Sequence, residues 1–291
     1  MFYHDPRLAY TVRVDEPDPI FAKMLQQAIG GVEGEMRVMN QYLFQAWGSR
    51  GPKRYRDMLL NTGTEEIGHI EMLATAVAMN LEGAPDETVQ EAAKDPVIEA
   101  RLGGAMPRHL LSSGLSAMPV DSNGVPFTGA YVVATGNLAA DMHANISAEG
   151  GGRVLATRLY EWTDDPGMKD MLSFLIARDT MHQNQWMAVL EELKDRGAPA
   201  PWDFDQSQEL REVSYQFFQQ SKAEVPDDAR WTSGPSVDGK GEFTLVEAKP
   251  MGEEPELGPP RETMHVHVEL DGAESMTRKL ADRAKGAVKG S

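Results

Sequence analysis

Glu66 and His69 stand three residues apart in GTEEIGHIEML, inside Lys53–Leu81, a proline-free stretch that reads as one helix. A helical turn takes about 3.6 residues, so positions i and i+3 point to nearly the same side. A carboxylate and an imidazole turned inward from one helix can hold a first-row metal ion. On most helices the same spacing marks only a solvated face. The rest of the chain decides between the two.

Helical periodicity dominates the first two thirds. From Ile20 to Trp47, Phe21, Met24, Leu25, Ala28, Ile29 and Val32 recur at three- and four-residue steps. Gly30, Gly31 and Gly34 interrupt this helix at about 1 kcal/mol each against alanine; close approach of a neighbouring helix is the expected reason. The second helix is Lys53–Leu81. A third runs from Gly129 to Trp162, with Gly150, Gly151 and Gly152 in its middle. The fourth starts at Pro166 behind an Asp165 N-cap and ends near Arg196, before Gly197 and Pro199. Between helices two and three, the proline-rich segment 95–128 reads as a long crossover. Such connections join parallel helices in some bundles. Leu8–Val14 has a strand-like alternation of Tyr10, Val12 and Val14 with Thr11 and Arg13.

The expected fold is therefore an all-α core, a four-helix bundle with a long crossover, over residues 1–200 and with an N-terminal arm. Residues 201–291 form an extended C-terminal tail. One more helix is expected within Trp202–Lys222, and short strands at Glu242–Ala248 and Thr263–Leu270. The tail is dense in Pro, Gly, Asp and Glu and is too poor in apolar residues for its own core. Its end, Lys279–Ser291, is small, basic and expected to fray.

Composition removes several function classes. The 291 residues include no cysteine, which excludes disulfides, thiolate ligands and cysteine nucleophiles. A metal would be held by carboxylate and imidazole, donors that suit manganese and iron. Net charge is −17, from 28 basic and 45 acidic residues, which argues against nucleic acid as a partner. No apolar run of about 18 residues is present, so no membrane-spanning helix is expected. The stretch MFYHDPRLAYTVRV shows no secretory signal pattern, and the expected compartment is the cytoplasm.

Each bundle helix carries candidate ligands. Helix one has Glu33 and Glu35, helix two Glu65, Glu66 and His69, helix three Glu149, and helix four His182. Glu35 is flanked by Val32, Val38, Met39 and Tyr42 at helical steps, so its carboxylate is expected to be buried and to need a partner. Glu33, Glu65 and Glu71 read as solvent-facing charge. A Glu-x-x-His element with carboxylates from facing helices is the pattern of dinuclear sites in ferritin-like bundles.

Five blocks in order, GGVEGEMRVMNQYLFQ, GTEEIGHIEML, ANISAEGGGRV, LYEWTDDPGMKDMLSFLIARDTMHQ and RWTSGPSVDGKGEF, make the chain resemble the manganese catalases, the dimanganese branch of the ferritin-like proteins. The resemblance implies that Glu35 and His69 hold one manganese, Glu149 and His182 the other, and that Glu66 bridges them. It implies that Tyr42 orients a ligand carboxylate through its hydroxyl. The implied reaction is the disproportionation of hydrogen peroxide, cycling between Mn(II)₂ and Mn(III)₂, with two manganese ions per subunit. A homohexamer clasped by the tails is implied too. Asp57 and Asn61 match the place where some members bind calcium.

Two departures from the family fall in the outer sphere. Asp179 stands where glutamate is usual, and three glycines precede Arg153. Asp179, with Arg153 near it, is the expected proton-moving pair. Two rival functions share the bundle: a di-iron oxidase or ferroxidase, and a non-enzymatic spore-coat or stress-associated relative. Di-iron sites commonly use two full Glu-x-x-His elements, and Asp179-x-x-His182 is not one. Retention of all five ligands argues against the non-enzymatic relative.

Overall fold

The computed structural model describes residues 4–82, 112–197, 208–222, 224–256 and 258. The chain divides into two compact units, Met1–Gln206 and Ser207–Ser291.

The first unit is helical: α1 Pro19–Gly30, α2 Glu35–Gly48, α3 Lys53–Glu82, α4 Leu138–Trp162 and α5 Pro166–Asp195. The single helix expected over Ile20–Trp47 is thus two. Gly31 to Gly34 fold back over the open end of α1. A Cβ on Gly31 would lie 2.4 Å from the Gln27 carbonyl oxygen, and one on Gly34 2.7 Å from that of Ile29. Gly30 packs against the crossover, where a Cβ would lie 2.5 Å from the Val120 backbone. The glycines do mark close approach, but to the end of α1 and to the crossover rather than to a neighbouring helix. The third bundle helix begins at Leu138, not at Gly129. Gly129–Tyr131 is one 3-10 turn, Gly136 takes a left-handed φ of 77°, and the Asn137 side chain then caps α4 by accepting from Ala140 N.

Residues Leu8–Val14 form no strand. Their alternation serves docking instead: Leu8, Tyr10, Val12 and Val14 pack on the bundle core, and Tyr10 stacks on Phe174 at 4.7 Å. The expected Asp165 cap is present. Its Oδ1 accepts from Gly167 N and Met168 N, while Oδ2 accepts from Asp15 N and Glu16 N, tying the arm to α5.

Two apolar clusters fill the bundle. One gathers Phe21, Leu25, Leu73, Val77, Met171 and Leu172, from α1, the C-terminal half of α3 and the start of α5. The other gathers Tyr42, Tyr55, Leu59, Met142, Trp186 and Val189, from α2, the N-terminal half of α3, α4 and the later part of α5. The midpoints of α3, α4 and α5 lie between them in sequence. Part of the crossover is described: the Gln26 amide donates to the Met118 and Val120 carbonyls and anchors it. Among the described residues, no helix is long and apolar enough to cross a membrane.

The second unit holds a three-stranded sheet in the order β1-β3-β2. β1 (Gln216–Gln219) runs parallel to β3 (Glu242–Glu247) with Phe217 opposite Leu245, and β2 (Gly234–Pro235) pairs antiparallel with Gly234 opposite Phe243. β3 answers the strand expected at Glu242–Ala248. The described part of the Trp202–Lys222 segment carries β1 instead of a helix. Its QFFQ run gains a strand partner in β3 that the local pattern does not reveal. Thr263–Leu270 and Lys279–Ser291 lie outside the described residues. Among the described residues of this unit no hydrophobic side chain is buried; Trp231 and Val237 are well exposed.

Candidate metal centre

Three helix midpoints and one helix start converge between the apolar clusters. Glu66 and His69 come from the middle of α3, Glu149 from α4 and His182 from α5; all four are buried. Glu35 is the first residue of α2, placed there by the break at Gly31 to Gly34. The positive end of the helix dipole favours a carboxylate at that position.

The donor atoms form two groups, Glu35 with Glu66 and His69, and Glu66 with Glu149 and His182, each within 4.8 Å of one another. Glu66 belongs to both. Its Oε2 lies 2.7 Å from His69 Nδ1 and its Oε1 3.0 Å from His182 Nδ1. His69 Nδ1 is 3.9 Å from Glu35 and His182 Nδ1 is 3.6 Å from Glu149. Close as they are, these contacts lack hydrogen-bond geometry: Glu66 Oε1 and both ring nitrogens of each histidine are buried without a hydrogen-bond partner. Buried polar atoms rarely remain so. Donors that crowd a common space without bonding one another suit a cation between them.

The charge balance fits as well. Burial, then the charge of Glu66, pushes Glu35 up to about 7 and Glu149 up to about 8. Burial opposes the charge of Glu66 too, but His69 and His182 outweigh it and hold its carboxyl down at about 2. Burial also opposes a charge on His182, yet Glu65 and Glu66 raise it to about 10. His69 is raised in the same way, chiefly by Glu66. Protons thus compensate a negative pocket where a divalent ion would otherwise do so.

Tyr42 is fully buried and its hydroxyl donates to Glu149 Oε1, an oxygen that Trp186 Nε1 approaches at 3.4 Å. Tyr42 therefore touches the carboxylate of α4 and not that of Glu35 on its own helix. Asp179 is buried on α5 and, among the described residues, has no hydrogen bond. Burial, then the charges of Glu35, Glu149 and Glu66, pushes its carboxyl up to about 9. Gly152 passes beside it, where a Cβ would lie 3.5 Å from Asp179 Oδ2. Gly151 and Gly152 also admit Glu33, which sits against α4 rather than out in solvent. Arg153 donates to Thr180 Oγ1 at 3.3 Å and makes no ion pair with Asp179. Asp57 and Asn61 are exposed, and Asp57 lies 3.8 Å from Lys53 Nζ.

Glu65, like Glu33, departs from the solvent-facing position expected of it. It does not simply face solvent. Its Oε1 accepts from Arg178 Nε at 2.6 Å and lies 3.6 Å from His69 Nε2; its Oε2 accepts from Arg178 Nη2 at 3.3 Å and lies 3.2 Å from His182 Nε2. The signal was present as spacing: Glu65 precedes His69 by four residues, and Arg178 precedes His182 by four. Glu71 is half-exposed and meets His4 Nε2 at 2.9 Å.

Comparison with known proteins decides the family. The profile described as "Manganese containing catalase" matches residues 1–283. The chain belongs to the manganese-containing catalase family. It is 48% identical over 266 residues to a manganese catalase of Bacillus subtilis, covering 91% of this chain and 97% of that one. It is 42% identical over 204 residues to a manganese catalase of Lactiplantibacillus plantarum, covering 70% of this chain and 76% of the relative. The crystal structure of KatB, a manganese catalase from Anabaena, superposes with a TM-score of 0.66 at 25% identity, covering 86% of this chain and all of that one. The ferritin-like bundle read from the sequence is the fold of this manganese catalase family.

Proposed function

We propose that this catalase disproportionates two molecules of hydrogen peroxide to two of water and one of dioxygen at a pair of manganese ions per subunit. Glu35 and His69 would hold one ion, Glu149 and His182 the other, and Glu66 would bridge them. The observation that carries this reading is the pair of donor groups sharing Glu66, all buried except the half-buried Glu35, with the Nδ1 atoms of both histidines turned to Glu66 without a hydrogen bond. A bound pair of manganese ions supplies the two-electron exchange with peroxide, one electron from each ion.

The chain's own residues supply the rest. The apolar clusters on either side keep the site dry, which strengthens every charge interaction within it. Tyr42, with Trp186 beside it, fixes the orientation of Glu149 through Oε1. Asp179 is the group we assign to proton movement. Burial, with the charges of Glu35 and Glu149 close by, keeps its carboxyl protonated near neutrality, and it has no competing hydrogen bond among the described residues, so it can give its proton to departing water and recover one from peroxide. Arg153 is held on Thr180 and leaves Asp179 without a guanidinium partner among the described residues.

We assign the cytoplasm as the compartment, in keeping with a chain free of cysteine, and a homohexamer as the assembly. The exposed Trp231 and Val237 of a unit without buried hydrophobics support a docking role for the tail. A calcium ion at Asp57 and Asn61 would have to draw further oxygens, since Asp57 already faces Lys53. The deciding experiment measures oxygen evolution from peroxide by protein of known manganese and iron content, with and without haem poisons. Poison-resistant evolution that scales with manganese is expected. Activity that follows iron instead favours the di-iron rival.

A further inference from the structure

We propose that Glu65 is a shared anchor for both metal-holding imidazoles, and that Arg178 fixes the anchor. The proposal rests on the two-metal reading above. Each histidine turns Nδ1 toward Glu66 and Nε2 toward Glu65. A neutral imidazole has one bare nitrogen and one N–H, and the acceptor on the N–H side decides which is which. Glu65 faces both Nε2 atoms, outside hydrogen-bond geometry at 3.6 Å and 3.2 Å, and once the rings are neutral it would be the acceptor that leaves the bare lone pairs on the two Nδ1 atoms, which lie beside Glu66.

A single carboxylate is able to do this twice. It has two oxygens with about four lone-pair sites. The structure distributes its neighbours evenly: Oε1 meets Arg178 Nε at 2.6 Å and His69 Nε2 at 3.6 Å, and Oε2 meets Arg178 Nη2 at 3.3 Å and His182 Nε2 at 3.2 Å. The planar guanidinium holds the carboxylate in one plane. One side chain would therefore couple the two metal positions, on the Nε2 side of both rings where Glu66 stands on the Nδ1 side. His69 and His182 lie on different helices, α3 and α5, with ring centroids 5.9 Å apart, so the anchor also sets the spacing of those helices at the site.

The test uses the full-length, manganese-loaded protein. Manganese per subunit is measured after equilibration with increasing EDTA, for wild type, Glu65→Gln, Arg178→Lys and, as a control on the same helix, Glu71→Gln. Glu65→Gln keeps the shape but has only one acceptor oxygen. Partners of this kind typically contribute about 10–100-fold to metal affinity. Glu65→Gln is expected to lose both ions together, at about 10–100-fold lower EDTA, with an altered electron paramagnetic resonance signal of the manganese pair. Arg178→Lys, which keeps the charge without the fork, should shift less, and Glu71→Gln not at all. Loss of only one ion from Glu65→Gln overturns the shared role; unshifted loss of both overturns the anchor altogether. Should Glu65→Gln fail to give native circular dichroism, Arg178→Lys carries the test, and manganese retention equal to wild type in it contradicts the proposal. Wild-type protein that holds no pair of manganese ions contradicts the underlying site and the anchor with it.

Discussion

A carboxylate at 1% exposure, such as Glu66, cannot stay charged in an apolar interior without cations in reach. Here the available cations are protonated imidazoles or metal ions. His182→Ala removes one of the few donors to the second metal position. It should abolish catalase activity while circular dichroism keeps its helical signal, because the bundle rests mainly on apolar faces. Wild-type oxygen evolution from that variant would sink the ligand assignment. Asp179→Ala should lower turnover by about 10²–10⁴-fold, the usual range for an acid–base group, with manganese content nearly unchanged. Loss of manganese in proportion to activity would assign Asp179 a structural role instead. At this scale the sequence was informative where chemistry and spacing coincide, as in Glu66-x-x-His69. It was silent on which helix Tyr42 reaches across to. Glu65 was misread because a residue beside a buried ligand looks, by periodicity alone, like the exposed edge of the helix. The four-residue steps from Glu65 to His69 and from Arg178 to His182 hint at its surroundings, and the approach of Arg178 and His182 from α5 fixes them.

Helix ends follow from local chemistry, and two of them yield tests. Partial burial opposes the charge of Asp165, but the N–H groups of Met168, Glu16, Asp15 and Gly167 outweigh it and hold the carboxyl below its usual value. A depressed folded value means that the contribution is present above the unfolded value, ordinarily about 3.9, and fades as pH falls through the folded one. Asp165→Ala should therefore destabilise the protein by about 0.5–2 kcal/mol near neutrality, with the difference shrinking in acid. Urea melts at a series of pH values check this; a pH-independent difference would contradict it. Gly30→Ala would force a methyl to within 2.5 Å of the Val120 backbone. Overpacking of this kind costs about 1–3 kcal/mol, and a melting temperature equal to wild type would show that the crossover yields freely. The Asp165-Pro166 start of α5 was legible because cap and first-turn proline act within a few residues. The break between α1 and α2 was not, since apolar periodicity runs through it. Only the folding of Gly31 to Gly34 over the carbonyls of α1 interrupts the helix. Likewise the alternation in Leu8–Val14 was real, but its partner is the face of the bundle and not another strand.

For the whole molecule, the bundle was readable because long amphipathic stretches specify helices locally, whereas the sheet of the second unit depends on pairing between β1 and β3, which are distant in sequence. That unit buries no hydrophobic side chain among its described residues, so its stability is expected to depend on docking. Deleting residues 225–291 should lower the subunit count in light scattering and reduce the melting temperature, since assembly and folding are linked by mass action. A truncated protein with unchanged mass ratio and melting would contradict the clasp. Catalysis is assigned to the paired donor groups on α2, α3, α4 and α5. The most direct test of that assignment is oxygen evolution per subunit across preparations loaded with graded manganese and stripped of iron. Poison-resistant activity is expected to rise with manganese and to level off at two ions per subunit. Saturation at one ion, or full activity in protein free of manganese, would contradict it.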